Sequence, residues 1–432
     1  MTRTPARRPA LAPRLTPGAG GVAGLLAGLV TQFGLDGLPV RVRAWDGSEA
    51  GPATGPVLVL RSPLALRRLI WHPGELGLAQ AYVTGALDVD GDLDEGLRQV
   101  WRAAAGSSPS PVPGGGPARL PAAAWAALRT AYQLHALGAP LPAPASQLKV
   151  SGRRHSRARD QAVIAGHYDL PSEFYRLILD PRMAYSSGWW APGDAAVTLA
   201  DAQVAKLERV CAKLGLAPGT RLLDIGCGWG SLTLYAAQQH QVHVTAVTLS
   251  AQQGAYLTRR VRDLGLTALV DVQIRDYRDI TGHGYDGVVS IEMGEHVGAG
   301  QYPRFCAALH DHVRPGGAVL IQQMSRSGRA PGGGPFIESF IAPDMHMRPV
   351  GETVSLLEQA GLEVRSVEAM REHYVRTIRA WQQNFAARRP QVAEWLTSEQ
   401  IRVWRLYLAG GALAFEQGRM GVDQILATRP QP

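Results

Sequence analysis

From residue 200 onward the apolar positions follow a regular rhythm. Val204, Leu207, Val210 and Leu214 recur every three or four residues, which predicts an amphipathic helix. RLLDIG follows as a short continuous apolar run closed by a turn, the pattern of a buried strand. The rhythm then repeats: helix 231–239, strand VHVTAVTL, helix 250–264, strand VDVQIRD, strand GVVSIE, helix 301–313, an RPGG turn and strand AVLIQQM. Strands alternating with helices predict an α/β fold with a doubly wound, mostly parallel sheet. No internal repeat is evident.

The front of the chain is less regular. Residues 21–103 mix strand-like runs (Val40 to Trp45, Val57 to Leu60) with helix-like ones, as a smaller N-terminal α+β domain would. Residues 1–20 are basic and Pro-rich and read as a loose tail. Residues 104–119, AAGSSPSPVPGGGPAR, are a linker by composition. A helix at 121–138 and a basic run carry that linker to 159, leaving 160–432 as the catalytic domain. A chain of 432 residues accommodates two domains.

Composition narrows the function classes. The chain is 46% hydrophobic and 19% charged, as globular proteins are. A net charge of +8 and a pI near 9.6 call for anionic company: nucleic acid, anionic lipid or phosphorylated metabolites. Cys211, Cys227 and Cys306 lie far apart, so neither a zinc site nor a disulfide framework is expected, which suits a reducing cytosol. No metal site is expected. No apolar run reaches the roughly 18–20 residues of a membrane span. GVAGLLAGLV at 21–30 follows Arg3, Arg7, Arg8 and Arg14, but no small-x-small cleavage site follows it, so it reads as a helix opening the domain. Lys149, Arg153, Arg154, Arg157 and Arg159 form either a solvated basic loop or a contact for anionic headgroups.

The chemistry gathers where strands end. The first regular strand runs into Asp224-Ile225-Gly226-Cys227-Gly228-Trp229-Gly230. Glycines there let a backbone approach a ligand closely. A dinucleotide turn needs G-x-G-x-x-G to hold a pyrophosphate. Here the spacing is G-x-G-x-G and Trp229 would crowd a pyrophosphate, so S-adenosylmethionine is the expected ligand. The second strand ends in Thr248-Leu249-Ser250 with no carboxylate. Ser250 and Gln253 have capping-box spacing, and a Gln there also reaches a ribose. A later strand ends in VVSIEMGEHVGAG, two carboxylates and an imidazole where an apolar run stops. Burying charge without partners is costly, so these residues need an explanation. Glu292 reads as a cap or a salt-bridge partner, and His296 as a hydrogen-bonded structural histidine.

HYDLPSEFYRLILDPRMAYSSGWW, LLDIGCGWGSL, VTLSAQQ, DYRD, SIEMGEHVG and HYVRTIRAW occur in that order. The set resembles the cyclopropane-fatty-acyl-phospholipid synthase and mycolic-acid cyclopropane synthase family. The resemblance is strong over 160–420 and weaker in GELGLAQAYVTGALDVDGDL of the front domain. It implies a class I methyltransferase sheet, Rossmann-like, with a helical cover. By resemblance, Tyr185, Ser186, Asp224, Gly226, Gly228, Gly230, Thr248, Leu249, Gln253, Tyr277 and Arg278 hold S-adenosylmethionine. Glu295 and Tyr374 hold a bicarbonate ion, with Ser187 contributing its backbone and Gln322 and Met324 beside it. Ser187 stands where the family has Cys, and Gln322 where it has His. Gln donates a hydrogen bond but carries no charge.

The implied reaction joins the sulfonium methyl to a cis double bond in a phospholipid acyl chain. A carbocation follows, faced by Tyr185, Trp189 and Tyr374, and bicarbonate removes a proton as a cyclopropane ring closes. Because the departures surround the base, the alternative product is a mid-chain methylene, which a partner reductase turns into a methyl branch. Other readings stay open: a small-molecule C-methyltransferase on the same fold, or a lipid-binding protein with a decayed site. Nucleic acid is not an expected partner, since no base pocket of the Asn/Asp-Pro-Pro-Tyr type is visible. The resemblance also implies a peripheral enzyme at the inner, cytoplasmic membrane face, on an anionic surface, pairing through its front domain.

Overall fold

The computed structural model describes residues 20–32, 37–106, 119–168, 170–193, 197–327 and 332–431. The expected tail, except its last residue, and the centre of the expected linker lie outside these. The chain divides into two units, 1–143 and 144–432.

In the first unit, β1 (Arg41–Arg43), β2 (Glu49–Ala50), β3 (Val57–Leu60) and β4 (Leu87–Asp90) form a sheet in the order β2-β1-β3-β4. Only β1 and β3 run parallel. The expected helix at 121–138 is Arg119–Gln133. It belongs to this unit.

The second unit carries β5 (Arg221–Ile225), β6 (His243–Thr248), β7 (Val270–Ile274), β8 (Tyr285–Ile291), β9 (Val313–Ser325), β10 (Glu363–Ala369) and β11 (Gly421–Thr428). Their order is β10-β11-β9-β8-β5-β6-β7. The strands from β9 through β8, β5 and β6 to β7 are parallel neighbours, and β11 runs antiparallel between β9 and β10. The expected α/β, mostly parallel, doubly wound sheet is therefore the fold. Alternation along β5 shows the double winding. Leu222 joins a core with Leu207, Val210 and Leu257, while Leu223 and Ile225 join one with Val288, Phe305 and Leu309. A third, aromatic core contains Phe174, Tyr175, Tyr374, Trp381, Trp404 and Phe415.

Two expectations need adjusting. The RPGG segment is not a free turn but lies inside β9, where Gly316 takes φ +74°. Pairing with β8 shifts register there, between Tyr285 and Gly287. β10 and β11 had no sequence signal. β10 alternates poorly and is largely exposed. β11 buries Asp423 and Gln424 in mid-strand, so its apolar run is broken.

The basic run is largely committed to acids. Arg154 and Arg159 pair with Asp344, and Arg157 pairs with Asp279. Lys149 and Arg153 are exposed.

Gly230 shows how tightly the glycine turn is built. It caps helix Ser231–His240 in the left-handed region, φ +83°. A Cβ there would stand 2.2 Å from Leu257 Cδ1. Gly230→Ala should therefore lower stability by about 2 kcal/mol or more, from backbone strain plus overpacking. Gly351→Ala, in helix Val350–Gln359 with open space at its Cβ, should be neutral or slightly stabilising. Urea unfolding of both variants checks this; equal midpoints would contradict it.

Candidate active site

The carboxyl ends of β5, β6 and β8 open onto one cleft of about 970 Å³, mouth included. Tyr185, Ser186, Asp224, Gly226, Gly228, Thr248, Leu249, Gln253 and Tyr277 all line it. Two other expected contacts do not. Gly230 serves the helix cap described above. Arg278 ion-pairs with Asp160 at 2.9 Å and with Asp276, a strut rather than a cleft residue.

Each lining residue is placed by local structure. Gly226 and Gly228 take φ +81° and +55°. A Cβ on Gly226 would meet Met293 at 2.9 Å, whereas one on Gly228 would project into open space. Ser250 accepts from the Gln253 backbone N–H at 3.2 Å and so caps helix Ala251–Asp263. The Gln253 side chain does not complete the box, because its Oε1 accepts from Thr248 Oγ1 at 2.8 Å. Asp224 accepts from Thr233 Oγ1 at 2.7 Å, and burial pushes its pKa up to about 6. Trp229 Nε1, Ser231 Oγ and the Tyr277 hydroxyl are buried on this cleft with no hydrogen-bond partner among the described residues.

The sequence reading did not foresee Lys206, which lines the same cleft. It is 2% exposed and donates to Ser186 Oγ at 3.0 Å. Burial lowers its pKa, against the pull of Glu292, Asp180 and Asp224. Helical spacing placed Gln203, Lys206 and Val210 on one face, which was the available signal.

Three of the residues expected to surround the base, Ser187, Gln322 and Tyr374, converge on one group, and that group is Glu292. Its Oε1 accepts from the Ser187 backbone N–H at 2.8 Å and from Gln322 Nε2 at 2.8 Å. Its Oε2 accepts from the Tyr374 hydroxyl at 2.6 Å. Glu292 follows β8 with φ +50°, a conformation that costs a non-glycine residue on the order of 1–3 kcal/mol. Its backbone N–H donates to the Gln322 carbonyl at 2.6 Å, which helps to hold it there. Half-buried on the cleft wall, Glu292 has its pKa raised by burial, offset in part by Tyr374, Ser187, Gln322 and Lys206.

The network has a direction. Lys213 Nζ donates to Gln424 Oε1 at 2.6 Å. Gln424 Nε2 then donates to Gln322 Oε1 at 2.9 Å, and Gln322 Nε2 is left to donate to Glu292. An ammonium has no acceptor, so it fixes both amide orientations. Lys213 is balanced by Glu368, which also accepts from Arg209. Against partial burial, these bonds pull Glu368 down to about 2.

Glu295 is placed differently. It is 1% exposed and is not part of the cleft lining. The Met324 backbone N–H donates to its carboxyl group, while its Oε2 has no partner among the described residues. Burial and then the charge of Glu292 push its pKa well above the usual range. Two neighbouring carboxyl groups are thus set apart, Glu292 with three donors and Glu295 with its pKa pushed well up by burial. Tyr185 connects cleft and aromatic core. It lies 5.2 Å from Trp381 and 5.6 Å from Tyr175, ring centre to ring centre, and its hydroxyl meets Tyr407 at 3.3 Å.

The family model for mycolic acid cyclopropane synthetase matches residues 155–425. A probable fatty acid methyltransferase of Pseudomonas putida is 34% identical over 401 residues, covering 91% of this chain and 92% of that one. The tuberculostearic acid methyltransferase UfaA1 of Mycobacterium tuberculosis is 32% identical over 408 residues, covering 91% and 89%. A solved structure of mycolic acid cyclopropane synthase CmaA1, complexed with SAH and CTAB, is 29% identical with a TM-score of 0.58. It covers 62% of this chain and 98% of that one. The family match takes in the cleft, the aromatic cover and the sheet up to the middle of β11, and on it the chain belongs to the mycolic acid cyclopropane synthetase family of S-adenosylmethionine-dependent methyltransferases.

Proposed function

We propose that this enzyme transfers the methyl group of S-adenosylmethionine to the cis double bond of an unsaturated phospholipid acyl chain and leaves a one-carbon branch there. The supporting observation is the meeting of two environments at Tyr185: a glycine-walled cleft on one side and an aromatic core on the other. The cleft suits the donor. Gly228 leaves room at the backbone, and Trp229, Ser231 and Tyr277 offer unspent polar groups. The donor supplies an electrophilic methyl, and the chain's own residues do the rest.

An alkene is a weak nucleophile, so holding it in line with the methyl carries much of the rate. Positive charge then develops on the acyl chain. The faces of Tyr185 and Trp381 stabilise such charge without bonding to it. An apolar surround keeps water from capturing it.

The two relatives described above are named as a probable fatty acid methyltransferase and a tuberculostearic acid methyltransferase, which supports the methylene or methyl-branch product. Ring closure, the outcome first implied by the resemblance, is the second reading, supported by the likeness to the cyclopropane synthase structure. Docking on an anionic bilayer belongs to the same proposal. The positive net charge supports it, as do Leu64, Ile70 and Trp71, close in sequence on the first unit and each more than 40% exposed.

Two measurements bear on this. Gly228→Ala puts a methyl into the cleft, so its Kd for S-adenosylmethionine by calorimetry should rise roughly tenfold, about 1.4 kcal/mol. Unchanged affinity would remove the donor from this cleft. Purified enzyme with labelled donor and oleoyl-phospholipid vesicles should yield an acyl chain heavier by one CH₂, with vinylidene protons by NMR. Upfield ring protons would establish the second reading. No mass gain on any unsaturated lipid would overturn both.

A further inference from the structure

Glu292 has the features of a base, and no role assigned so far uses them. It follows a strand in a strained backbone conformation, its carboxylate reaches the cleft wall, and three donors converge on its two oxygens. Three of the groups that the resemblance assigns to bicarbonate are the Ser187 backbone, the residue at 322 and the Tyr374 phenol. Here all three bond to Glu292 instead. A carboxylate and a bicarbonate ion present the same O–C–O edge, so the side chain fills the place the ion would take. Glu295, which the resemblance also assigns to that ion, lies off the cleft lining, and burial pushes its pKa well above the usual range.

We propose that Glu292 is the proton acceptor of the reaction and works in place of bound bicarbonate. The inference rests on the acyl-alkene reading above. The alkene electron pair bonds to the methyl carbon as the sulfur–methyl bond breaks, its electrons staying on sulfur. The neighbouring carbon becomes positive. A hydride shift from the methyl-bearing carbon moves that charge beside the new methyl. Glu292 removes a proton from the methyl, and the C–H pair becomes the methylene double bond. Ring closure draws a proton from the same methyl, so the role of Glu292 does not depend on the product. The acid that results loses its proton to water when the lipid leaves.

Two features suit a carboxylate to this place. Donors on both oxygens draw on its lone pairs and restrain it from bonding to the cation. The chain from Lys213 delivers an N–H to Glu292, and an ionised acceptor is what that arrangement fits. The titratable groups around it are Lys206, Glu295, Tyr374 and Tyr407. With its pKa raised, Glu292 loses its base form as pH falls, sooner than an ordinary glutamate does.

The test uses the full chain and begins without lipid. Bicarbonate is titrated calorimetrically into enzyme saturated with S-adenosylhomocysteine. Wild type should give no binding heat. Glu292→Gly, which relieves the backbone and vacates the space, should bind bicarbonate. Saturable binding to wild type would overturn the proposal. In turnover on unsaturated vesicles, Glu292→Gln should keep its donor affinity within about twofold and lose about 100-fold or more in kcat. Glu292→Gly should regain activity with added bicarbonate. Full activity in Glu292→Gln, or a wild-type rate that rises with bicarbonate in CO₂-free buffer, would overturn the inference. If wild type turns over no acyl lipid, the function reading falls, and the calorimetry still decides what fills the site.

Discussion

A half-buried ammonium decides which way a glutamate side chain is held two strands away, at the end of β8. Lys213 orients Gln424, Gln424 orients Gln322, and Gln322 presents an N–H to Glu292. The relay works because Gln424 and Gln322 are register partners on β11 and β9. A one-residue slip of β11 would turn Gln424 to the other face of the sheet and leave the Gln322 amide without that partner. The antiparallel strand β11 therefore does more than complete the sheet. It sets the polarity of the site.

The sheet order explains where the site lies. β6 leaves β5 on one side and β8 lies on the other, so the crevice opens at the carboxyl ends where the winding reverses. Gly226 and Gly228 follow β5 and Glu292 follows β8, which brings a glycine turn and a carboxylate to one cleft. Ser187 arrives from the segment ahead of the sheet and Tyr374 from helix Arg371–Ala387. Tyr374, Ile378, Trp381 and Phe385, at helical spacing, do pack as a core stripe, yet Tyr374 also spends its hydroxyl on Glu292.

Much of this was legible in the sequence, for physical reasons. Parallel strands covered on both faces read as continuous apolar runs, so β5, β6 and β8 stood out. β11 did not, because Asp423 and Gln424 interrupt it, and they are buried only because Ser325, Lys213 and Gln322 satisfy them. The glycine turn named the cleft, although spacing cannot separate Gly228, which faces open space, from Gly230, which faces Leu257. Arg278 sits within a motif matching a ligand contact, but two carboxylates hold it. Glu292 read as a cap because nothing in a linear motif shows that φ +50° folds its side chain beneath Ser187.

The proposed role needs Glu292 ionised in the resting site, with Glu295, whose pKa is pushed further up, the more readily protonated of the two. Infrared difference spectra of wild type against Glu292→Gln at neutral pH, with S-adenosylhomocysteine bound, address it directly. Loss of a carboxylate stretch in the variant, with no protonated carboxyl band lost, is the expected result. Loss of a protonated carboxyl band instead would mean that Glu292 rests as an acid, and the account of the site would be wrong.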